Sequence, residues 1–565
     1  MTRWILLSAI VALGIAAVVV SERRKVEAEA SPAAVLYLVA DTEHELTRMP
    51  SNFTRMSDAE EIRIGDEIAS SYGHPGASDA NKEEVQTVEK YLNQVGGPLA
   101  ARAHRSLPFR FHYIPSEYMI NAFALPGGHV YVGGGLLALM DSEDELAAVL
   151  GHEIEHIDHY HCAERAQQEE ALRHIPLGGL VALPIFIFEA GYSKDQELEA
   201  DREGTRLAVN AGYSANGAIR MFEAFDRMYR QYMGRERKPA SPQEEASNVA
   251  LQTLEGYFRS HPLPAERIAQ VQKMSASESW TTRPERDLAV AYIFWTARAK
   301  SAMQAKKYSQ AEELASRSLK MRAEQPEAED VLALAQFAQA NFSGAAATLR
   351  KMMEGGTPNP ALVERYAMAL AAADRKAAAG EFRDYIASIH GEKPRNAEVE
   401  QAGLNLLAGD SGPASTLDKQ LRISGDNWAP DYMGELGWWY YLTGDSGRAS
   451  QLLNEAVQLR PGNLRLWVRR AWIMIEIRRY SDALQTTGNY EEMNDREKTM
   501  AEAVARWQAR EQEAALVEYD KAMVGQPQWG NPEWVKALYS PLVAQSVQEM
   551  REERERQKKA KMAGR

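Results

Sequence analysis

The chain has almost no cysteine and no surplus of positive charge. Cys162 is its only cysteine among 565 residues, so an internal disulfide framework is excluded. The formal net charge at pH 7 is −14, which gives no reason to expect nucleic-acid binding. A chain of this length is expected to hold more than one domain. Its content of 45% hydrophobic and 25% charged residues is ordinary for globular protein.

Long apolar runs are also scarce. Trp4 to Val20 is one such run of 17 residues, and it predicts a signal peptide or a short membrane anchor within residues 1–30. Export to the cell envelope, with a periplasmic body, is the expectation, although the cations at 23–25 favour the opposite orientation. A second run, Ile175 to Phe188, is short for a membrane span. It predicts a buried segment, with membrane association as the alternative.

The most informative pattern is the pentapeptide at 152–156, His-Glu-Ile-Glu-His. Ser142 and Glu145 have the spacing of a capping box, which predicts that a helix begins just before it. Residues four apart share a helix face, so His152 and His156 are predicted to bind one zinc ion. Glu153 lies beside them and is predicted to be the general base. Two histidines leave zinc short of ligands, so the pattern requires a third donor elsewhere.

The best candidate for the third donor is the segment at 196–202, which begins a second predicted helix. Glu197 and Asp201 are four residues apart and share a face of that helix. One carboxylate can bind zinc, while the other orients a ligand histidine through its second ring nitrogen. The spacing by itself leaves open which carboxylate has which role.

With these motifs the chain resembles peptidase family M48, over roughly residues 57 to 275. The segments of this chain that resemble the family's motifs occur in the family's order. They are Ser57–Glu61 with Gly65, Asn121–Gly128 with Val130–Val132, the two metal motifs, and His261-Pro262 with Arg267.

The resemblance implies a mainly α fold, in which a gluzincin-type α+β metallopeptidase domain contains a small sheet. It implies one Zn²⁺ per chain, bound by His152, His156 and Glu197, with Glu153 as catalytic base and Asp201 as support. It places His261 near the metal, as an oxyanion stabiliser, as an occupant of the open zinc position, or simply as the start of a turn. It also implies an edge strand that holds extended peptide substrate, formed by Asn121, Ala122 and Phe123.

The second half of the sequence contains an internal repeat. The segment at 409–415 recurs in nearly the same form at 444–450. A 34-residue period is typical of tetratricopeptide repeats, in which paired helices stack into an α-solenoid. About six units and a degenerate one near Ala515 are predicted. The alanines in phase, at spacings of 34 or 35 residues, are Ala311, Ala345, Ala379, Ala414, Ala449 and Ala483.

These patterns together predict a zinc metalloendopeptidase joined to a protein-binding repeat array. Its predicted substrates are unfolded or misassembled envelope proteins, and a protein partner is expected to bind the repeats. Two alternatives stay open: an assembly scaffold with a latent protease site, and a membrane processing protease of narrow specificity. The predicted bounds are a leader at 1–30, a linker at 31–56, the peptidase at 57–275, a linker at 276–286, the repeats at 287–545 and a charged tail at 546–565.

Overall fold

The computed structural model describes residues 56–73, 76–166, 192–233, 264–281, 283–354, 359–488 and 496–563. Two compact units divide the chain between Ala291 and Tyr292. The predicted leader, most of the linker at 31–56, the apolar stretch at 175–188 and His261 lie outside the described residues. Among the helices that are described, none is long and apolar enough to cross a membrane. The predicted domain bounds stay predictions.

The first unit is mainly helical and contains one small sheet, as predicted. A 3₁₀ turn at Asp79–Asn81 separates its first two helices. The helices are α1 (Asp58–Tyr72), α2 (Lys82–Ala100), α3 (Gly134–Leu137), α4 (Glu143–Asp158), α5 (Lys194–Asn210), α6 (Asn216–Met233) and α7 (Pro264–Ser277).

The sheet has three strands: β1 (Arg110–Ile114), β2 (Ala122–Leu125) and β3 (His129–Gly133). Its order is β1-β3-β2, with β1 parallel and β2 antiparallel to β3. The turn between β2 and β3 contains Gly127 and Gly128 at φ values of 77° and 106°, a region that favours glycine. This order places β2 at an edge of the sheet.

Helix α1 packs directly against that turn. A Cβ atom at Gly65 would lie 1.8 Å from the carbonyl oxygen of Pro126, so only glycine allows this approach. Buried Glu61 accepts a hydrogen bond from the backbone N–H of Gly127 at 3.1 Å and pairs with Arg105. The helix therefore holds the turn from which β2 and β3 extend.

The second unit consists of helices in seven consecutive pairs, followed by a 3₁₀ turn (Pro527–Gly530) and two further helices, within the described residues. The pairs are α8 (Ala291–Gln304) with α9 (Tyr308–Met321), α10 (Pro326–Ala338) with α11 (Phe342–Met352), α12 (Pro360–Ala373) with α13 (Ala378–Ser388), α14 (Ala397–Leu407) with α15 (Gly412–Ile423), α16 (Ala429–Thr443) with α17 (Ser446–Leu459), α18 (Leu464–Glu476) with α19 (Tyr480–Gly488), and α20 (Arg496–Gln508) with α21 (Gln512–Gly525). The last two helices are α22 (Pro532–Leu538) and α23 (Pro541–Ala563).

The phased alanines explain the packing of these pairs. Each of the six lies near the start of the second helix of its pair, and each is at most 7% exposed. Ala515 has the same place in α21 and is fully buried. A small side chain there lets the second helix approach the first closely, and stacking the pairs buries a continuous core. The predicted solenoid of tetratricopeptide repeats is confirmed.

Close approach also occurs between neighbouring pairs. A Cβ atom at Gly403 in α14 would lie 2.1 Å from Cγ of Trp439 in α16. The indole N–H of Trp439 donates to Glu400 at 3.1 Å, and burial raises the pKa of Glu400 well above its usual value. The first helices of these two pairs therefore interlock through one aromatic ring.

The residues at 526–540 form a segment that crosses several repeats of the second unit. Gln528 accepts a hydrogen bond from Tyr308 at 2.7 Å, and Asn531 donates to the carbonyl of Gln339 at 3.4 Å. Farther along the segment, Ser540 donates its backbone N–H to Tyr441 at 3.2 Å. This crossing segment therefore links the first, second and fifth helix pairs, which lie far apart in sequence.

Trp529 anchors the crossing segment, and we expect Trp529→Ala to destabilise the repeat unit by about 3–5 kcal/mol. The ring is 1% exposed, and its centroid lies 6.0 Å from that of Trp472 and 4.7 Å from that of Tyr539. Calorimetry of the full chain measures the shift of the repeat-unit transition. Ile423→Ala is the control, because Ile423 is 86% exposed. An equal transition temperature in the two variants would contradict the anchoring role.

Candidate metal centre

Two capped helices carry the residues of the candidate site. At the start of α4, Ser142 accepts a hydrogen bond from the backbone N–H of Glu145, whose side chain accepts from the N–H of Ser142. This is the predicted capping box. Ser193 and Gln196 form a second box at the start of α5. Because both helix starts are defined locally, the register of each metal motif along its helix is defined as well.

The two helices cross at a pair of glycines. A Cβ atom at Gly151 of α4 would lie 2.6 Å from the carbonyl oxygen of Gly204 in α5. A Cβ atom at Gly204 would lie 2.6 Å from the backbone nitrogen of His152. Real side-chain carbons do not approach backbone so closely, so both positions require glycine at this helix separation. The crossing brings Glu197 and Asp201 up to the two histidines.

Three ligand atoms converge between the helices. His152 Nε2 and His156 Nε2 are 3.1 Å apart. The Glu197 carboxylate oxygens lie 3.4 Å from His152 Nε2 and 3.6 Å from His156 Nε2. Zinc bonds of about 2.0–2.2 Å in a tetrahedron place neighbouring ligands about 3.4 Å apart. The spacing of this trio therefore fits a zinc ion, and the two histidines with one carboxylate are the donor set of a catalytic zinc site.

Asp201 and Arg267 hold one of the histidines in place. Asp201 Oδ1 lies 2.9 Å from His152 Nδ1, and Arg267 Nε donates to Asp201 Oδ2 at 2.7 Å. Burial raises the pKa of Asp201, but the Arg267 guanidinium and the His152 ring outweigh this and hold it well below its usual range. Since the Asp201 carboxylate stays charged, it keeps Nδ1 of His152 protonated and leaves Nε2 free to face the ligand atoms of His156 and Glu197.

Glu153 lies beside the trio, against a small cavity. The cavity has a volume of about 30 Å³, and its lining includes His152, Asn121 and Ala122. Such a volume holds about one or two water molecules. Burial raises the pKa of the Glu153 carboxyl to about 7. A carboxylate with a pKa near neutrality, next to room for water, has the properties of a general base.

His156 is held from its other side by residues that the sequence patterns did not identify. Tyr192 stacks on the His156 ring with the centroids 3.9 Å apart, and its backbone N–H donates to Glu197 at 3.1 Å. His161 Nδ1 lies 3.0 Å from His156 Nδ1, and burial lowers the pKa of His161 to about 4. Tyr192 immediately precedes the Ser193 cap, and this proximity to the Glu197 helix was the only available signal.

The predicted edge strand lies at the same cavity. Ala122 and Phe123 are in β2, and Asn121 immediately precedes it. Within the described part of the chain, the outer edge of β2 pairs with no other strand. The far end of this edge is covered, because the Ala124 carbonyl oxygen contacts Cys162 Sγ at 3.7 Å. The beginning of the strand borders the cavity beside Glu153.

Two further residues with metal-binding side chains, His129 and Cys162, do not belong to the trio. His129 contacts Asp66 at 2.8 Å and His112 at 3.0 Å, and thus belongs to the sheet and α1 rather than to the trio. Cys162 is fully buried, and burial raises the pKa of its thiol. His261 lies outside the described residues, so its role near the metal remains a prediction.

Several proteins are similar to this chain. A putative beta-barrel assembly-enhancing protease of Vibrio cholerae is 32% identical over 203 residues, which are 32% of this chain and 38% of that protein. The beta-barrel assembly-enhancing protease of Escherichia coli K12 is 26% identical over 204 residues, with the same coverage. The mitochondrial metalloendopeptidase OMA1 of Schizosaccharomyces pombe is 35% identical over 116 residues, 19% of this chain and 34% of that protein.

These alignments span well under half of each relative's length. Among solved structures, a tetratricopeptide repeat protein of Parabacteroides merdae is 13% identical and covers 46% of this chain and 98% of its own, with a TM-score of 0.29. A score this low supports no structural conclusion, so the assignment of the repeats rests on their period and helix pairs. In the first unit, residues 86–275 match the description "Peptidase family M48", so this part of the chain is similar to that family.

Proposed function

We propose that the protein is a zinc metalloendopeptidase that cleaves extended segments of unfolded protein. The observation that carries the proposal is the trio of ligand atoms at tetrahedral spacing beside buried Glu153. His152, His156 and Glu197 would hold the ion. When bound, zinc polarises a carbonyl group and makes water more acidic.

The chain's own groups supply the proton transfers and the positioning. Glu153 takes a proton from the attacking water in the cavity and later delivers it to the departing amine. Asp201, held by Arg267, keeps His152 oriented throughout. His261 is proposed as a further catalytic residue on the strength of its motif alone.

Substrate is proposed to bind along the beginning of β2. An extended peptide that adds to a sheet edge is recognised through its main-chain groups, which tolerates many sequences. Folded proteins seldom offer such a free strand. This mode therefore favours unfolded or misassembled proteins, in line with the word "assembly" in the names of the bacterial relatives. An envelope location for this chain is proposed from the apolar run at 4–20, which has the character of a signal peptide or membrane anchor.

The repeat unit is proposed to recruit substrate or a partner protein. It contains a cavity of about 300 Å³, with Arg365 and Trp534 in its lining. Arg365 Nη2 and Trp534 Nε1 are buried donors for which the described residues provide no hydrogen-bond partner. Two unused donors at one cavity favour a ligand that offers oxygen acceptors, such as a peptide carbonyl or carboxylate.

Removal of the metal tests the proposed activity. The purified full chain is incubated with a model protein in its unfolded and folded forms, before and after treatment with phenanthroline. We expect cleavage of the unfolded form only, a loss of at least about 100-fold on chelation, and recovery with about one equivalent of zinc. Magnesium is the control ion, because it prefers oxygen ligands. Zinc binding without cleavage would instead indicate a scaffold with a latent site.

A further inference from the structure

A second group of ligand-type side chains lies at the end of α4. Glu155, Asp158 and His159 each offer one ligand atom, and the three atoms lie within 4.8 Å of one another. Glu155 and Asp158 are 2% and 5% exposed. None of these residues belongs to the trio of His152, His156 and Glu197. The group therefore needs an explanation of its own.

Glu155 and His159 form a close pair at the end of α4. Glu155 Oε2 and His159 Nδ1 are 2.9 Å apart. Within the described residues, no other group forms a hydrogen bond with either atom, although both atoms are buried. Two buried ligand-type atoms that pair only with each other can also bind a shared cation, because an imidazole nitrogen and a carboxylate oxygen are both metal ligands.

Asp158 is held rigidly in its position. Its oxygens accept hydrogen bonds from the backbone N–H groups of His104 and Arg105 at 2.8 Å and 2.7 Å. The Arg105 guanidinium pairs with Asp58 and Glu61 and donates to the Ile157 carbonyl. A carboxylate fixed in this way loses little conformational freedom when it binds an ion.

The group is also accessible to ions. The His159 side chain is 29% exposed, and the His104 side chain beside it is 83% exposed. His104 Nδ1 lies 2.8 Å from Asp158 Oδ2, and the centroids of the His104 and His159 rings are 6.4 Å apart. An ion can therefore enter from solvent past two imidazoles, with His104 as a potential fourth ligand.

We propose that Glu155, Asp158 and His159 form a second metal site, which binds a divalent transition ion such as zinc. One imidazole and two carboxylates suit such ions, whereas calcium and magnesium prefer oxygen ligands alone. The bound ion joins the segment at 104–105 to the last turn of α4. Since α4 also carries His152 and His156, the second ion stabilises the helix that holds the first.

Zinc stoichiometry of the full chain tests this proposal. After equilibrium dialysis, elemental analysis is expected to show about two equivalents of zinc in the wild type and about one in His159→Ala and Glu155→Gln. His152→Ala is expected to retain about one, at the second site, and the His152→Ala/His159→Ala double variant none. His390→Ala, which changes a histidine of the repeat unit, is the control and should behave as the wild type does.

A thermal measurement separates a built site from loose binding. The second equivalent of zinc is expected to raise the unfolding temperature of the first unit in the wild type, and the first equivalent is expected to do so in His152→Ala. His159→Ala should show no further rise after its first equivalent. One equivalent in both the wild type and His159→Ala would overturn the proposal and make Glu155 and His159 an ordinary ion pair. Loss of zinc from the trio alone would contradict the proposed function and leave the second site intact, so the two outcomes are distinguishable.

Discussion

Glu153→Gln is expected to lower kcat/KM for an unfolded substrate by about 10²- to 10⁴-fold, because general acid–base catalysis contributes effects of this size. The amide has the same shape as the carboxyl group but cannot take a proton from water. Glu153 lies beside the trio and is not one of its three ligands, so zinc bound at the trio should remain at about one equivalent. Degradation kinetics and elemental analysis of the same preparation measure both quantities.

Glu83→Gln is the matched control, since it makes the same chemical change on the exposed face of α2. It should leave both kcat/KM and zinc content unchanged. A Glu153→Gln enzyme that cleaves at the wild-type rate would show that another group is the base. A variant that loses its zinc would instead assign Glu153 to metal binding.

The second large effect is expected at the helix crossing, where Gly204→Ala should lower zinc affinity by about 10- to 100-fold. The new Cβ atom would lie 2.6 Å from the His152 backbone nitrogen and 2.7 Å from the Gly151 carbonyl carbon. Backbone atoms cannot give way alone, so α4 and α5 must separate. Overpacking of this kind costs about 1–3 kcal/mol, and displaced supporting groups reduce metal affinity by factors of 10–100.

Gly380→Ala is the control for the Gly204 variant. Gly380 also lies within a helix, but the nearest atom to its added Cβ would be the flexible end of Arg383, at 3.8 Å. There the substitution should stabilise slightly, by up to about 1 kcal/mol, because alanine is the better helix former. Competition with a chromogenic zinc chelator measures the affinity of each variant. Equal affinity in Gly204→Ala and the wild type would show that the crossing does not position the trio.

Local rules explain why parts of the fold were predictable. The capping box of Ser142 and Glu145 depends on residues three apart, and it is present. The alanines recur once in each repeated unit, so their spacing predicts one helix pair per unit. His152 and His156 are four apart on one helix, which makes their shared face a matter of helix geometry. Each of these features involves neighbours in sequence or a regular spacing.

The remaining features arise from contacts between distant segments. Arg267 contacts Asp201, which lies 66 residues away in sequence. Tyr192, directly before the Ser193 cap of α5, stacks on His156 of α4. The crossing segment at 526–540 is not part of the 34-residue repeat, so the period could not predict which repeats it contacts. In the sequence, Glu155 and His159 are four residues apart, a spacing that indicates an ordinary ion pair on one helix. Only the position of Asp158, fixed by the segment at 104–105, gives the pair a third donor.

The sequence by itself determined the helix faces, the caps and the repeat, because these depend on local periodicity and hydrogen bonding. Tertiary structure decided which carboxylate lies at the metal-binding nitrogens of the histidines and which lies behind one of them. Glu197 meets both Nε2 atoms, whereas Asp201 meets Nδ1 of His152. The spacing of four residues is symmetric with respect to these two roles. The crossing at Gly151 and Gly204 breaks that symmetry, because it fixes the position along each helix axis at which α4 and α5 are in contact.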